Sequence, residues 1–303
     1  MKGILVRAFG EPEVMQWEEL PDPVAGPGQV LVKIEAAGVN PVDTYIRSAL
    51  HAKRSLPYTP GSDGAGTRMD TGERVYLTGS VTGTYAQLAL CQLEQVHPLP
   101  GALSFAQGAA LYVPYYTAYR ALFQCGQARP GEIVLVHGAS GGVGLAALQW
   151  GRAHGLRMLG TASTPAGLAA IRERGAEAFD HSQSNYLEQM PAPNLILEML
   201  ANQNLQKDLE VLAPFGRIVV VGNRGSLDFN ARAAMSKEAS LRGMSLFNTP
   251  AAEMSQIQAA VYAGLEAGFL SPLVGKSFPM SEAAAAHHVV LAPGALGKVV
   301  LIA

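Results

Sequence analysis

Residues 132–144, EIVLVHGASGGVG, constrain this chain more than any other stretch. Ile133, Val134, Leu135 and Val136 form a short apolar run that breaks into glycines. The chain then continues as LAALQWGRAHG, which has the composition and spacing of a helix. Strand, tight turn, helix is the order this dictates. Gly138, Gly141 and Gly144 recur every third residue. That spacing allows a sharp turn, a close approach of backbone to a bulky anion, and tight packing of helix on strand. A phosphate placed there would meet unpaired amide groups and the positive end of the helix dipole. The pattern is G-x-x-G-x-x-G rather than G-x-G-x-x-G, so these residues alone leave a plain βα turn and a dinucleotide site equally open.

The flanking sequence narrows the choice. Up to about residue 100 the chain shows short apolar or β-branched runs at 3–7, 30–35, 74–77 and 85–90, separated by turn clusters such as PDPVAGPGQ and PYTPGSDGAG. This predicts a small barrel-like β domain. Around Ser104, a helix N-cap candidate, an apolar helical passage begins; it is interrupted at Pro114 and has Gly126 as its stop. After it, strands at 133–136, 156–161, 178–180, 195–198 and 217–221 alternate with helical patterns at 143–154, 166–174, 186–190 and 205–212. Repeated βα units predict a parallel, helix-covered sheet, whose ligands bind at the carboxyl ends of the strands. The terminal strand, KVVLIA, is expected to return to the first domain because the parallel sheet needs nothing more.

Composition removes other classes. The 303 residues are long enough for two domains, 49% are hydrophobic and 15% charged, and the net charge is −2. Lys and Arg are scattered, so no nucleic-acid surface is expected, and residues 103–123 contain Gln107, Pro114 and Arg120, which argues for buried helix rather than a membrane span. The start, MKGILVRAFGEPEV, reaches charge and proline too soon for a signal peptide, which makes the cytoplasm the expected location. Cys91 and Cys125 are too few for a disulfide framework or a structural zinc site and are read as buried apolar residues.

Six segments in register carry a resemblance: GVNPVDTYIRS from Gly38, LPYTPGSDGAG from Leu56, PYYTAYRAL from Pro114, HGASGGVG from His137, EMLAN from Glu198 and VVVGNRG from Val219. Together, from about residue 3 to residue 301, the chain resembles the zeta-crystallin type of NADPH:quinone oxidoreductase within the medium-chain dehydrogenase/reductase superfamily. The resemblance implies an α/β fold in which a Rossmann-type doubly wound parallel sheet is joined to a GroES-like β-barrel domain. The barrel would take residues 1–111 and 269–303 and the NADPH-binding domain residues 112–268, with the cofactor in the cleft between them. A homodimer or homotetramer is implied, with residues 241–247 pairing edge to edge between subunits. Zinc alcohol dehydrogenases of the superfamily carry a cysteine where this chain has Asn40, and a four-cysteine lobe that it lacks, so no metal site is expected.

Carried over residue by residue, Gly138, Ser140, Gly141, Gly142, Val143 and Gly144 resemble the pyrophosphate loop. Ser163, Thr164, His181, Asn202, Val221, Gly222, Asn223, Arg224, Met244, Ser245 and Leu246 match positions lining the cofactor. Tyr45 matches a tyrosine near the nicotinamide. Asn40, Asp43 and Tyr45 are taken to share one loop facing the substrate, although Asn and Asp beside Pro41 more often make turn hydrogen bonds. The strand ending Gly160-Thr161-Ala162-Ser163-Thr164 lacks the carboxylate that holds an NAD ribose, which favours NADPH. Thr164 could equally cap the next helix. Relatives often place a Lys in the first turn of that helix; here Arg172, Arg174 or Arg224 would have to serve. His137, His287 and His288 are read as structural or exposed with no metal spacing, and Arg47 and Lys53 as solvated. After PGSDGAG the chain is several residues shorter than relatives, which is expected to alter the rim of the substrate site. The implied acceptor is a quinone; the alternatives are an enone or enal, or a non-enzymatic RNA-binding or crystallin-like role.

Overall fold

The computed structural model describes residues 1–50 and 54–303, which form two compact units, Met1–Val113 with Ser271–Ala303 and Pro114–Leu270. In the first, β1 (Lys2–Val6) and β2 (Met15–Glu19) pair antiparallel. β3 (Gln29–Val39) buries Val30, Val32 and Ile34 on one face and leads directly into α1 (Pro41–Arg47). β4 (Asp63–Arg68), β5 (Arg74–Thr78), β6 (Leu88–Gln92) and β7 (Val96–Pro98) follow, then α2 (Phe105–Gly108). The expected strand at 85–90 is thus shifted toward the C-terminus, with Ala86 only bridging to Gly3.

β4 has no apolar pattern to announce it, and its sequence, DGAGTR, reads as a turn. Its glycines answer a packing need instead: a Cβ on Gly66 would stand 1.9 Å from the Lys33 carbonyl oxygen, beside the bulge where β3 crosses from Ile34 to Ala36. The shortened segment is a tight hairpin, with Thr67 opposite Arg74. It lies at the end of β4 remote from Asp63, some five residues or about 17 Å away. The deletion thus falls at the end of the β4–β5 hairpin away from Asp63.

A helical passage from Tyr112 to Cys125 leads into the second unit, regular only at α3 (Thr117–Tyr119) and wider-turned on both sides, with Pro114 in its first part. β8 (Ile133–Val136), α4 (Gly142–Ala153), β9 (Arg157–Ala162), α5 (Pro165–Glu173), β10 (Glu177–Asp180), β11 (Leu195–Glu198), α6 (Ala201–Val211) and β12 (Arg217–Val220) follow the expected alternation, except that the helix expected at 186–190 is only a 3-10 turn, Tyr186–Gln189. α7 (Ala231–Ser236), β13 (Ser240–Gly243) and α8 (Ala251–Glu266) complete it. The five expected strands are joined by a sixth, β13, whose four residues are all exposed and carry no apolar alternation. All six run parallel in the order β10-β9-β8-β11-β12-β13. Leu135, Leu159, Ile196 and Ile218 from the central strands pack on Leu205, Leu209 and Leu212.

The chain then rejoins the first unit as β14 (Val274–Pro279), α9 (Ala283–Val290) and β15 (Lys298–Ile302). β15 pairs antiparallel with β3, as the terminal apolar run requires, and β14 lies beside it in a seven-stranded sheet. Among the described residues no helix is long and apolar enough to cross a membrane.

Candidate functional site

In sequence order the strands of the second unit read 3-2-1-4-5-6 across the sheet, so the order reverses between β8 and β11. Ligands of such sheets lie outside the carboxyl ends at that reversal, and the glycine loop leaves β8 there. Gly138 has φ +56, a conformation that side-chain-bearing residues rarely adopt. Gly141 is the N-cap of α4 and, as a glycine, contributes no capping side chain. The first amides of α4, at Gly142, Val143 and Gly144, are thus left to an external acceptor. Gly144 packs so closely on the loop that a Cβ would meet Ala139 Cα at 2.5 Å. Ser140 is buried beside Gly167 of α5.

The neighbouring strand ends carry the other expected residues. Ser163 and Thr164 follow β9 and are half-buried; Thr164 Oγ1 accepts from the Gly167 amide at 3.1 Å, so the capping role is real. No acid stands at this end. Arg172 and Arg174 fall in the last turn of α5 and at its C-cap, roughly 12–15 Å along the axis from Thr164, and the Arg174 guanidinium folds onto the Ala170 carbonyl at 3.1 Å. Both arginines therefore start from the end of α5 remote from β9. His181 follows β10, exposed, its ring edge-on to Tyr186 at 6.4 Å.

The loops after β11 and β12 are knitted together. The Ala201 amide donates to the Gly222 carbonyl at 3.0 Å, the Asn202 amide to Asn223 Oδ1 at 3.0 Å, and the Arg224 amide to Asn202 Oδ1 at 3.0 Å. Val221 and Gly222 both donate to the Glu198 carbonyl. Met244, Ser245 and Leu246 follow β13, the Met244 amide donating to Val220. All the expected cofactor positions of this unit therefore share one edge of the sheet.

Beneath that edge lies a cluster that motif reading did not find. His137 Nε2 is 2.7 Å from Asp208 Oδ1 and 3.5 Å from Glu198 Oε2, and all three residues are buried. The expectation that His137 has no metal-like neighbours is corrected, because these ligand atoms all lie within 4.8 Å of one another. Two signals pointed there: Glu198 is an acid ending the wholly apolar run Leu195-Ile196-Leu197, and Asp208 falls on the helical face that carries Leu205, Leu209 and Leu212.

In the first unit the expected substrate loop is instead α1. Asn40 is its N-cap, and Asp43 Oδ2 accepts from the Asn40 amide at 2.9 Å. The Asn40 side chain is engaged: Nδ2 donates to Asp63 Oδ2 at 3.0 Å, and Oδ1 accepts from Lys298 Nζ, which also pairs with Asp63 Oδ2 at 2.5 Å. Asp63 Oδ1 accepts from the Val113 amide at 3.0 Å. Tyr85 links onward, its hydroxyl donating to Asp43 at 3.3 Å and lying 3.3 Å from His287 Nε2. Burial, then the neighbouring Asp63, pushes Asp43 up to about 6. Burial first, with nearby Arg47 adding to it, pushes His287 down to about 3. Tyr45, two residues beyond Asp43 on α1, is half-buried. A shallow pocket lined by Asp43, Ile46, Arg54, Tyr58, Pro60, Gly61 and Ser62 opens beside α1.

Residues 142–261 match the zinc-binding dehydrogenase family and residues 26–101 the alcohol dehydrogenase GroES-like domain. The quinone oxidoreductase of Rattus norvegicus is 44% identical over 100% of this chain and 98% of its own length. The chain belongs to the quinone oxidoreductase family. Among solved structures, the Thermus thermophilus quinone oxidoreductase, described also in complex with NADPH, is 32% identical with a TM-score of 0.91 and 100% of both chains covered. The Escherichia coli quinone oxidoreductase, solved with NADPH, is 26% identical with a TM-score of 0.88, again over 100% of both chains.

For a quinone oxidoreductase relative whose matched family bears zinc in its name, the donor set of the first unit is informative. Asn40 and Asp63 already hold the Lys298 ammonium, so a cation stands among these donors as part of the chain. Arg47, expected in solvent, is instead buried, with Nε and Nη1 lacking partners among the described residues. Of the histidines beyond the cofactor edge, His287 is buried and His288 is exposed beside Glu13, as a structural-or-exposed reading requires. Lys53 lies outside the described residues.

Proposed function

We propose that this chain is an NADPH-dependent reductase of quinones that works without zinc. The observation that carries the reading is the uncapped glycine N-terminus of α4 at the strand-order reversal, next to a β9 end with no carboxylate. The diphosphate would be held by the Gly142, Val143 and Gly144 amides with Gly138, Ser140 and Gly141 shaping the turn. Ser163 and Thr164, with Arg224, would meet the 2′-phosphate, which a carboxylate would repel. His181 would cover the adenine, and Asn202, Val221, Gly222, Asn223, Met244, Ser245 and Leu246 would line the rest.

NADPH, when bound, supplies the reducing equivalents, and a quinone accepts them readily, so the protein's task is to position the acceptor and exclude water. We assign Tyr45 to the acceptor side. Asn40 and Asp43 act behind it, holding α1 rather than exchanging protons. Their donors are committed to the chain's own ammonium and amides, which supports zinc independence. The exposed edge of β13 supports a homodimer or homotetramer, which light scattering tests; a monomer would refute that part. Two free, buried thiols accord with a reducing cytoplasm.

The experiment is NADPH consumption with naphthoquinones and, in parallel, 2-alkenals. The expected result is turnover of quinones and little of alkenals, with kcat/KM for NADPH well above that for NADH. Preference for alkenals would replace the acceptor, comparable values for NADH would remove the cofactor preference, and an RNA gel shift without any turnover would overturn the enzymatic reading.

A further inference from the structure

His137, Glu198 and Asp208 stand immediately below the loops assigned to the cofactor. Each belongs to a different support of those loops. His137 is the last residue before Gly138, and its amide donates to Leu197 at 3.1 Å. Glu198 ends β11, and its Oε1 accepts from the Leu200 amide and from Asn204 Nδ2 at 3.2 Å, shaping the turn that carries Asn202. Asp208 lies on α6, the helix that this turn begins. The Glu198 backbone carbonyl at the same time receives the Val221 and Gly222 amides. One buried cluster thus underlies three of the loops.

Its charge balance is incomplete as two carboxylates and a neutral imidazole. Glu198 Oε2 and Asp208 Oδ2 are buried and without hydrogen-bond partners among the described residues. Two unpaired anions at 0% exposure would each carry a large desolvation cost. A proton shared between the two carboxyl groups removes one of the two charges, giving one carboxyl a donor and the other its missing partner. Three further titratable groups act on the cluster: His181 on His137, Tyr186 on both acids, and Lys207, next to Asp208 on α6.

We propose that Glu198, Asp208 and His137 form a proton-holding clamp that positions the cofactor loops, so that deprotonation of the carboxyl pair above neutral pH weakens NADPH binding. Burial pushes Glu198 up to about 8 and Asp208 up to about 7, and it pushes His137 below its usual range. The sign follows. The folded state holds protons on these acids that the unfolded chain gives up, so the clamp is intact at low and neutral pH and is lost as pH rises through the pair's titration. His137, kept neutral, adds no charge across that window.

These are positioning residues, and the inference rests on the NADPH reading above. The test is the Kd for NADPH, from nicotinamide fluorescence, between pH 7 and 9, above the cofactor phosphate's own ionisation near ~6. For the natural chain Kd is expected to rise about tenfold across that range. Glu198→Gln is the informative variant, because its amide oxygen still accepts from Leu200 and Asn204 while its NH2 replaces the shared proton toward Asp208. Its Kd is expected to stay flat from pH 7 to pH 9. Asp208→Ala should bind NADPH more weakly at every pH; if it does not fold, the natural and Glu198→Gln profiles decide alone. A Glu198→Gln profile that tracks the natural one overturns the clamp, as does a pH-independent Kd in the natural chain. So does a stoichiometric metal ion found by elemental analysis, since a cation would then stand where the proton is placed. Absence of NADPH binding at every pH would instead overturn the cofactor reading, and the clamp's role with it.

Discussion

Lys298→Met provides a quantitative test of the first unit. Lys298 is 4% exposed; its ammonium sits on Asp63 Oδ2 at 2.5 Å and on Asn40 Oδ1, and anchors β15 to the start of α1 and to β4. Methionine keeps the length and apolar stem of lysine and removes only the charge and its donors. Asp63, itself 1% exposed, is then left with the Val113 amide and Asn40 Nδ2 but no countercharge. Breaking one side of a buried ion pair costs about 3–5 kcal/mol, most of it the desolvation of the stranded charge. For a unit of about 150 residues, each kcal/mol moves the transition by roughly 2–4 °C, so differential scanning calorimetry should show the first unit melting some 6–20 °C earlier. The double variant Lys298→Met, Asp63→Asn removes both charges while the amide oxygen still accepts from Val113. It should recover at least about half of the loss. A single variant within about 1 kcal/mol of the natural protein, or a double variant no better than the single one, would refute the claim that this pair is a dry, charge-balanced anchor.

Two further outcomes are expected. Gly144→Val places side-chain carbons where even a Cβ would meet Ala139 Cα at 2.5 Å, so it should abolish measurable NADPH binding by isothermal titration and lower the melting temperature of the second unit; retained binding would contradict the loop packing. His287, held neutral with its value pushed down to about 3, should make the first unit less stable as pH falls from about 6.5 toward 4, because the unfolded chain takes up a proton that the folded one refuses. Urea titrations across that range should show a clearly flatter dependence for His287→Gln, and parallel curves would remove His287 as the cause.

Much of the architecture was legible because burial leaves a periodic trace. β8, β9, β11 and β12 are short apolar runs, buried by helices on both faces, and sequence reading located each within a residue or so at its ends. Three other segments left no such trace. β4 is built of glycines that let β3 approach, β13 is an exposed edge, and α1 is a single short helix whose cap residues resemble a turn. In each, the side chains answer to a neighbour distant in the sequence rather than to a repeating face.

The same division runs through the candidate site. By itself, the sequence determined the glycine loop, the missing carboxylate after β9 and the return of the terminal strand, because each follows from local backbone preference or residue type. Tertiary structure alone decided which polar groups are buried together. It committed Asn40 and Asp43 to holding α1, placed Arg172 and Arg174 at the end of α5 remote from β9, and gathered His137 with two acids 61 and 71 residues further along the chain. Burial turns such groups from solvated side chains into coupled ones, and burial is a property of the fold, which no spacing along the chain encodes.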